Sequence, residues 1–117
     1  MSHLMLSRAA AAVLMTAGLA LTPYAGPARA QAPAAASVKI SNLTFTPQTI
    51  TVAAGTTVTW TNDDDLPHTV VAIDKSFRSK PLDTGDQFSF TFAKPGQYAF
   101  FCSIHPMMTG KVVVKAP

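Results

Sequence analysis

The sequence has 117 residues, enough for one domain, with nine Lys and Arg against six Asp and Glu and a single cysteine, Cys102. With the two arginines of the first thirty residues set aside, seven basic residues face six acidic ones, which is no signature of a nucleic-acid binder. One cysteine excludes a disulfide-stapled scaffold, which needs pairs.

Residues 1–8 carry one firm positive charge, Arg8, and an apolar run over residues 9–21 follows, broken only by Thr16 and Gly18. Pro23 and Pro27 follow, and Ala28-Arg29-Ala30 precedes Gln31. A charged start, a short apolar centre and an A-x-A end make a secretory signal peptide over residues 1–30, cut after Ala30. The run falls short of the roughly 20 residues that span a bilayer, so no membrane anchor is expected. Removing thirty of 117 residues leaves 87, and with Arg8 and Arg29 gone seven basic residues face six acidic ones. The mature protein is therefore expected in the periplasm. There a lone cysteine implies intermolecular pairing, a reactive thiol or a metal thiolate.

Residues 31–37 are rich in Ala and Pro and read as a flexible lead-in to a domain over residues 38–117. From there apolar residues recur with a period of two, the mark of half-buried strands. Val38 and Ile40 share one face, as do Ile50 and Val52, Val58 and Trp60, Phe88, Phe90 and Phe92, Tyr98, Phe100 and Cys102, and Val112 and Val114. Residues 69–73 form a further short candidate. Ala54-Gly55, residues 62–65, Thr84-Gly85-Asp86 and Lys94-Pro95-Gly96 supply turns. Residues 74–86 lack strong alternation and read as a solvated loop carrying Lys75, Arg78 and Lys80. No helical period appears, so the expectation is all-β, a sandwich or barrel of short strands.

The chemistry concentrates in Cys102-Ser103-Ile104-His105-Pro106-Met107-Met108, where one predicted strand ends and another begins. Cys102, His105 and Met108 are spaced by three and three, so one turn can aim a thiolate, an imidazole and a thioether at one point. Soft sulfur ligands select copper, and two His, one Cys and a distant Met make the trigonal site of electron-transfer copper proteins. The second imidazole falls to His68, in Leu66-Pro67-His68, because His3 lies in the signal segment. Structural zinc takes four Cys or His, of which this chain offers three. Haem attachment needs a C-x-x-C-H that is absent.

Val58-Thr59-Trp60-Thr61-Asn62, Leu66-Pro67-His68 and the run from Gly96 through Cys102, His105 and Met108 to Val114 resemble the cupredoxins. The two-residue spacing between His105 and Met108 looks most like the amicyanins within that family. The resemblance implies a Greek-key β-sandwich of about seven to eight strands. It implies one type 1 (blue) copper, with His68, Cys102 and His105 as strong ligands and Met108 as the weak axial one. It further implies that His105 reaches the surface within an apolar patch of Leu66, Pro67, Pro106 and Met107, where protein redox partners dock. Many relatives place an Asn after the first His to tie the ligand loops, and here Thr69 stands there. Four protein ligands leave no open position for substrate, so the expected role is a monomeric one-electron carrier and not an enzyme. A copper delivery or storage protein is the alternative.

Overall fold

The computed structural model describes residues 34–117, with the isolated positions 12, 17, 18 and 20. The signal segment and its cut after Ala30 thus lie outside the described residues. Among those described, no helix is long and apolar enough to cross a membrane.

Eight strands follow in chain order: β1 (Ala35–Ser41), β2 (Thr44–Thr46), β3 (Thr49–Ala53), β4 (Thr56–Asn62), β5 (Val71–Ala72), β6 (Gln87–Phe92), β7 (Gly96–Phe101) and β8 (Thr109–Lys115). They form two sheets, ordered β2-β1-β4-β6 and β3-β8-β7-β5. β1 runs parallel to β4 and β3 parallel to β8, and the other pairs are antiparallel. This is the expected all-β Greek-key sandwich.

β4 shows how sequence becomes layer. Thr56, Val58, Trp60 and Asn62 are buried and alternate with half-buried Thr57, Thr59 and Thr61. The outward side chains pair across to β6, Thr57 with Thr91 at 2.8 Å and Thr59 with Ser89 at 2.7 Å. Inside, Trp60 meets Phe77, Phe88, Phe92 and Phe100 with ring centroids 5.4–6.3 Å apart. Each such ring pair adds about 0.5–1.5 kcal/mol beyond its burial. The β4 period also places Asn62, the last inward residue, beneath the segment that carries His68.

Two expectations are corrected. Ala35 to Ser37 are not a lead-in, because they pair in parallel with Thr57, Val58 and Thr59 of β4. Backbone partners here outweigh the weak strand preference of alanine. Residues 74–86 are not wholly a solvated loop. Phe77, Ser79 and Leu82 are buried, and the segment doubles back along residues 68–72 through Ala72 N–H to Phe77 C=O, Ser79 N–H to Val70 C=O and Leu82 N–H to His68 C=O. Lys75, Arg78 and Lys80 do face solvent.

Candidate metal centre

Two segments converge at one end of the sandwich. The first is the turn between β7 and β8. The inward alternation of β7 continues past Phe100 to Cys102, and both are fully buried. The turn is closed by its own backbone: Cys102 N–H donates to Met108 C=O at 3.0 Å, and Met108 N–H donates to His105 C=O at 2.8 Å. His105 is half-buried and Met108 buried.

The second segment is held by remote partners instead. Buried Asn62 donates from Nδ2 to Leu66 C=O at 2.9 Å and to Leu82 C=O at 2.8 Å, and its Oδ1 accepts the Asp64 N–H at 2.9 Å. His68 exchanges both backbone bonds with Leu82, at 3.1 and 2.7 Å. These bonds fix the backbone of a histidine that is wholly buried.

The result is a compact donor triangle. Cys102 Sγ lies 3.7 Å from His68 Nδ1 and 3.8 Å from His105 Nδ1, and the ligand atoms of the three residues all lie within 4.8 Å of one another. Bonds of about 2.0 Å to nitrogen and about 2.3 Å to sulfur, the zinc values taken as typical of a first-row ion, need an S···N separation of about 3.7 Å at a trigonal angle. The two S···N separations thus suit one such ion, and a thiolate with two imidazoles suits copper.

Electrostatics prepare the sulfur. Burial alone pushes the Cys102 thiol up, but the Thr69 N–H, His68 and His105 together bring it down to about 6 from an ordinary 9.0. The Thr69 N–H donates to Sγ at 3.4 Å. The Thr69 hydroxyl accepts the Ser103 N–H at 2.7 Å and shares a proton with the Ser103 hydroxyl at 2.7 Å, while its Oγ1 stands 3.8 Å from Sγ. Thr69 therefore ties the two ligand segments together through its hydroxyl.

The far side of His68 is occupied by a residue that sequence reasoning did not single out. His68 Nε2 stands 2.9 Å from Asp64 Oδ2. The same oxygen accepts the Leu43 N–H at 2.9 Å, and Oδ1 accepts the Asp65 N–H at 3.0 Å. The Leu43 N–H first, and His68 next, hold the Asp64 carboxyl below the usual carboxylate range. In sequence, Asp64 sits between Asp63 and Asp65, two exposed turn acids. Only its position four residues before His68 sets it apart.

Outside the triangle, Leu66, Pro67, Pro106 and Met107 are exposed, Met107 at 95%. A shallow apolar depression lies here, lined by Leu43, Ile104, His105, Pro106, Met107 and Met108. His105 therefore faces both the donor triangle and the apolar surface. Leu43 and Ile104 extend the patch beyond the residues expected.

Residues 9–114 match the cupredoxin-like domain family. The chain is 37% identical over 116 residues to amicyanin-alpha of Methylorubrum extorquens, covering 94% of this chain and 98% of that protein. It is 34% identical over 94 residues to the amicyanin of Paracoccus versutus, covering 75% and 71%. Among solved structures it resembles a purple cupredoxin from Nitrosopumilus maritimus, with a TM-score of 0.67 and 38% identity over 68% of this chain and 99% of that one. The chain belongs to the cupredoxin-like family, is most like the amicyanins within it, and takes one copper ion as its cofactor.

Proposed function

We propose that the protein is a one-electron carrier of the periplasm. His68, Cys102 and His105 would hold its type 1 copper as strong ligands, with Met108 as a weaker fourth. The observation that carries this reading is the triangle of one sulfur and two imidazole nitrogens, buried except where His105 meets the apolar patch. Bound there, copper supplies a single electron through its Cu(II)/Cu(I) couple.

Each residue has a part in that task. Cys102 is poised as a thiolate by its N–H donor and the two imidazoles. Buried His68 and Cys102 exclude water, and the hydrogen-bonded turn limits rearrangement between oxidation states. His105 is the half-exposed ligand and gives the shortest exit to a partner seated on Leu43, Leu66, Pro67, Ile104, Pro106 and Met107. A full ligand set with no vacant position favours a carrier over an enzyme. Residues 1–30 would direct export and be removed after Ala30, and the mature domain would act as a monomer.

Voltammetry of the copper-loaded protein, beside copper transfer to a chelator, tests this reading. A reversible one-electron couple with slow copper loss is expected. An irreversible couple with rapid, complete copper loss would assign the protein to copper delivery instead.

A further inference from the structure

The geometry points to Asp64 as the positioning residue of the copper centre. Its carboxylate sets which nitrogen of His68 faces the metal, and ties that ligand to the hairpin tip that flanks the apolar patch. This inference rests on the carrier reading for its redox consequence, and its structural part stands without copper.

A carboxylate has no hydrogen to give, so the 2.9 Å contact between Asp64 Oδ2 and His68 Nε2 requires Nε2 to carry one. Nδ1 is then the nitrogen left to turn a lone pair to a metal ion, which would take the place of any hydrogen it shares with the Cys102 sulfur. Nδ1 is the nitrogen that stands 3.7 Å from Cys102 Sγ in the donor triangle. Asp64 thus selects the tautomer that can bind metal and fixes the ring orientation. A hydrogen-bonded carboxylate also raises ligand basicity. The Asp64 side chain is only 16% exposed and His68 not at all, so water cannot easily take over that role.

Asp64 also reaches Leu43. Asn42 and Leu43 form the turn between β1 and β2 with φ of 51° and 58°. Left-handed backbone costs a side-chain-bearing residue about 1–2 kcal/mol. Something must hold the turn in that shape, and the Leu43 N–H donates to the same Asp64 oxygen that His68 uses. Leu43 is 46% exposed and lines the apolar depression with His105 and Met107. One oxygen therefore supports a ligand in the interior and a contact residue on the surface.

A negative charge hydrogen-bonded to a ligand favours the more positive metal state. Asp64 therefore holds the reduction potential below the value it would have without the carboxylate.

The test compares Asp64→Asn, which keeps an acceptor but loses the charge, with Asp64→Ala, which loses both. Asp63→Asn, an exposed neighbour, is the charge control. In metal-free protein, nitrogen NMR should show wild-type His68 with its proton on Nε2, and Asp64→Ala should mix the tautomers. The Leu43 amide should exchange at least ten-fold faster in Asp64→Ala. With copper bound, both Asp64 variants should keep the blue band and show a raised potential, and Asp63→Asn should change neither. A wild-type His68 with no proton on Nε2, or an equal potential shift in Asp64→Asn and Asp63→Asn, would overturn the inference. Absence of a blue band from the wild type would instead sink the carrier reading, leaving the metal-free tautomer result to decide the role of Asp64.

Discussion

The two segments that meet at the copper centre are built on opposite plans. The turn at 102–108 carries three of the four proposed ligands and closes on itself, through Cys102 to Met108 and Met108 to His105. The segment at 62–69 carries one ligand and borrows its shape from elsewhere, from Leu82 through Asn62 and from Leu43 through Asp64. A site can thus be half local and half tertiary. The tertiary half sets how well the one distant ligand is aimed.

The largest effect should come from cutting the borrowed support. Asn62→Ala strips the Leu66 carbonyl and the Asp64 N–H of their partner and leaves the Leu82 carbonyl only the His68 N–H, at about 1–3 kcal/mol for each bond lost, so a loss of about 4 kcal/mol is expected in urea unfolding. The Cu(II) spectrum should broaden too, because His68 loses its platform. Overpacking the strands that carry the self-closed turn should cost somewhat less. A Cβ on Gly110 would collide with the fully buried Phe100 ring and come within 2.9 Å of the Gln48 carbonyl. Gly110→Ala should therefore destabilise by about 3 kcal/mol, the upper end for overpacking, read in the same unfolding experiment.

A smaller effect probes the tie between the segments. Thr69→Val removes the hydroxyl that joins Ser103 to the sulfur's surroundings, and should cost about 1 kcal/mol. The blue band should survive, since the Thr69 N–H still donates to Sγ. A last effect is a pH dependence of the metal-free protein. The folded Cys102 thiol lies at about 6 and the ordinary thiol at 9.0, so the folded state holds fewer protons between those values. The resulting stabilisation is complete above the ordinary value and is lost as pH falls toward 6. Thiolate absorbance in the ultraviolet should titrate near pH 6, and Cys102→Ser should abolish both signals.

The same contrast decides what could be read without coordinates. Strands such as β4 and β6 were legible because alternation at Val58, Trp60, Phe88 and Phe90 reports a two-faced layer directly. The turn at 102–108 was legible because its residues are neighbours in sequence as well as in space. Phe77 and Leu82 were not, because an isolated apolar residue in a polar loop carries no period. β2 was missed at three residues, too short to alternate. Asp64 was hidden by Asp63 and Asp65, and its distinction exists only once β1 and β2 bring Leu43 beside it. Thr69 was correctly placed between the ligand segments by its position after His68, but its partner, Ser103, emerged only from the packed loops.

The most direct test of the copper centre is the visible spectrum of the protein on adding Cu(II), beside Cys102→Ser. An intense blue band, bleached by a mild reductant and absent from the serine variant, is the predicted result. A colourless wild type, or a band that survives loss of the cysteine, would contradict the claim that the Cys102 thiolate and two imidazoles converge on one copper ion.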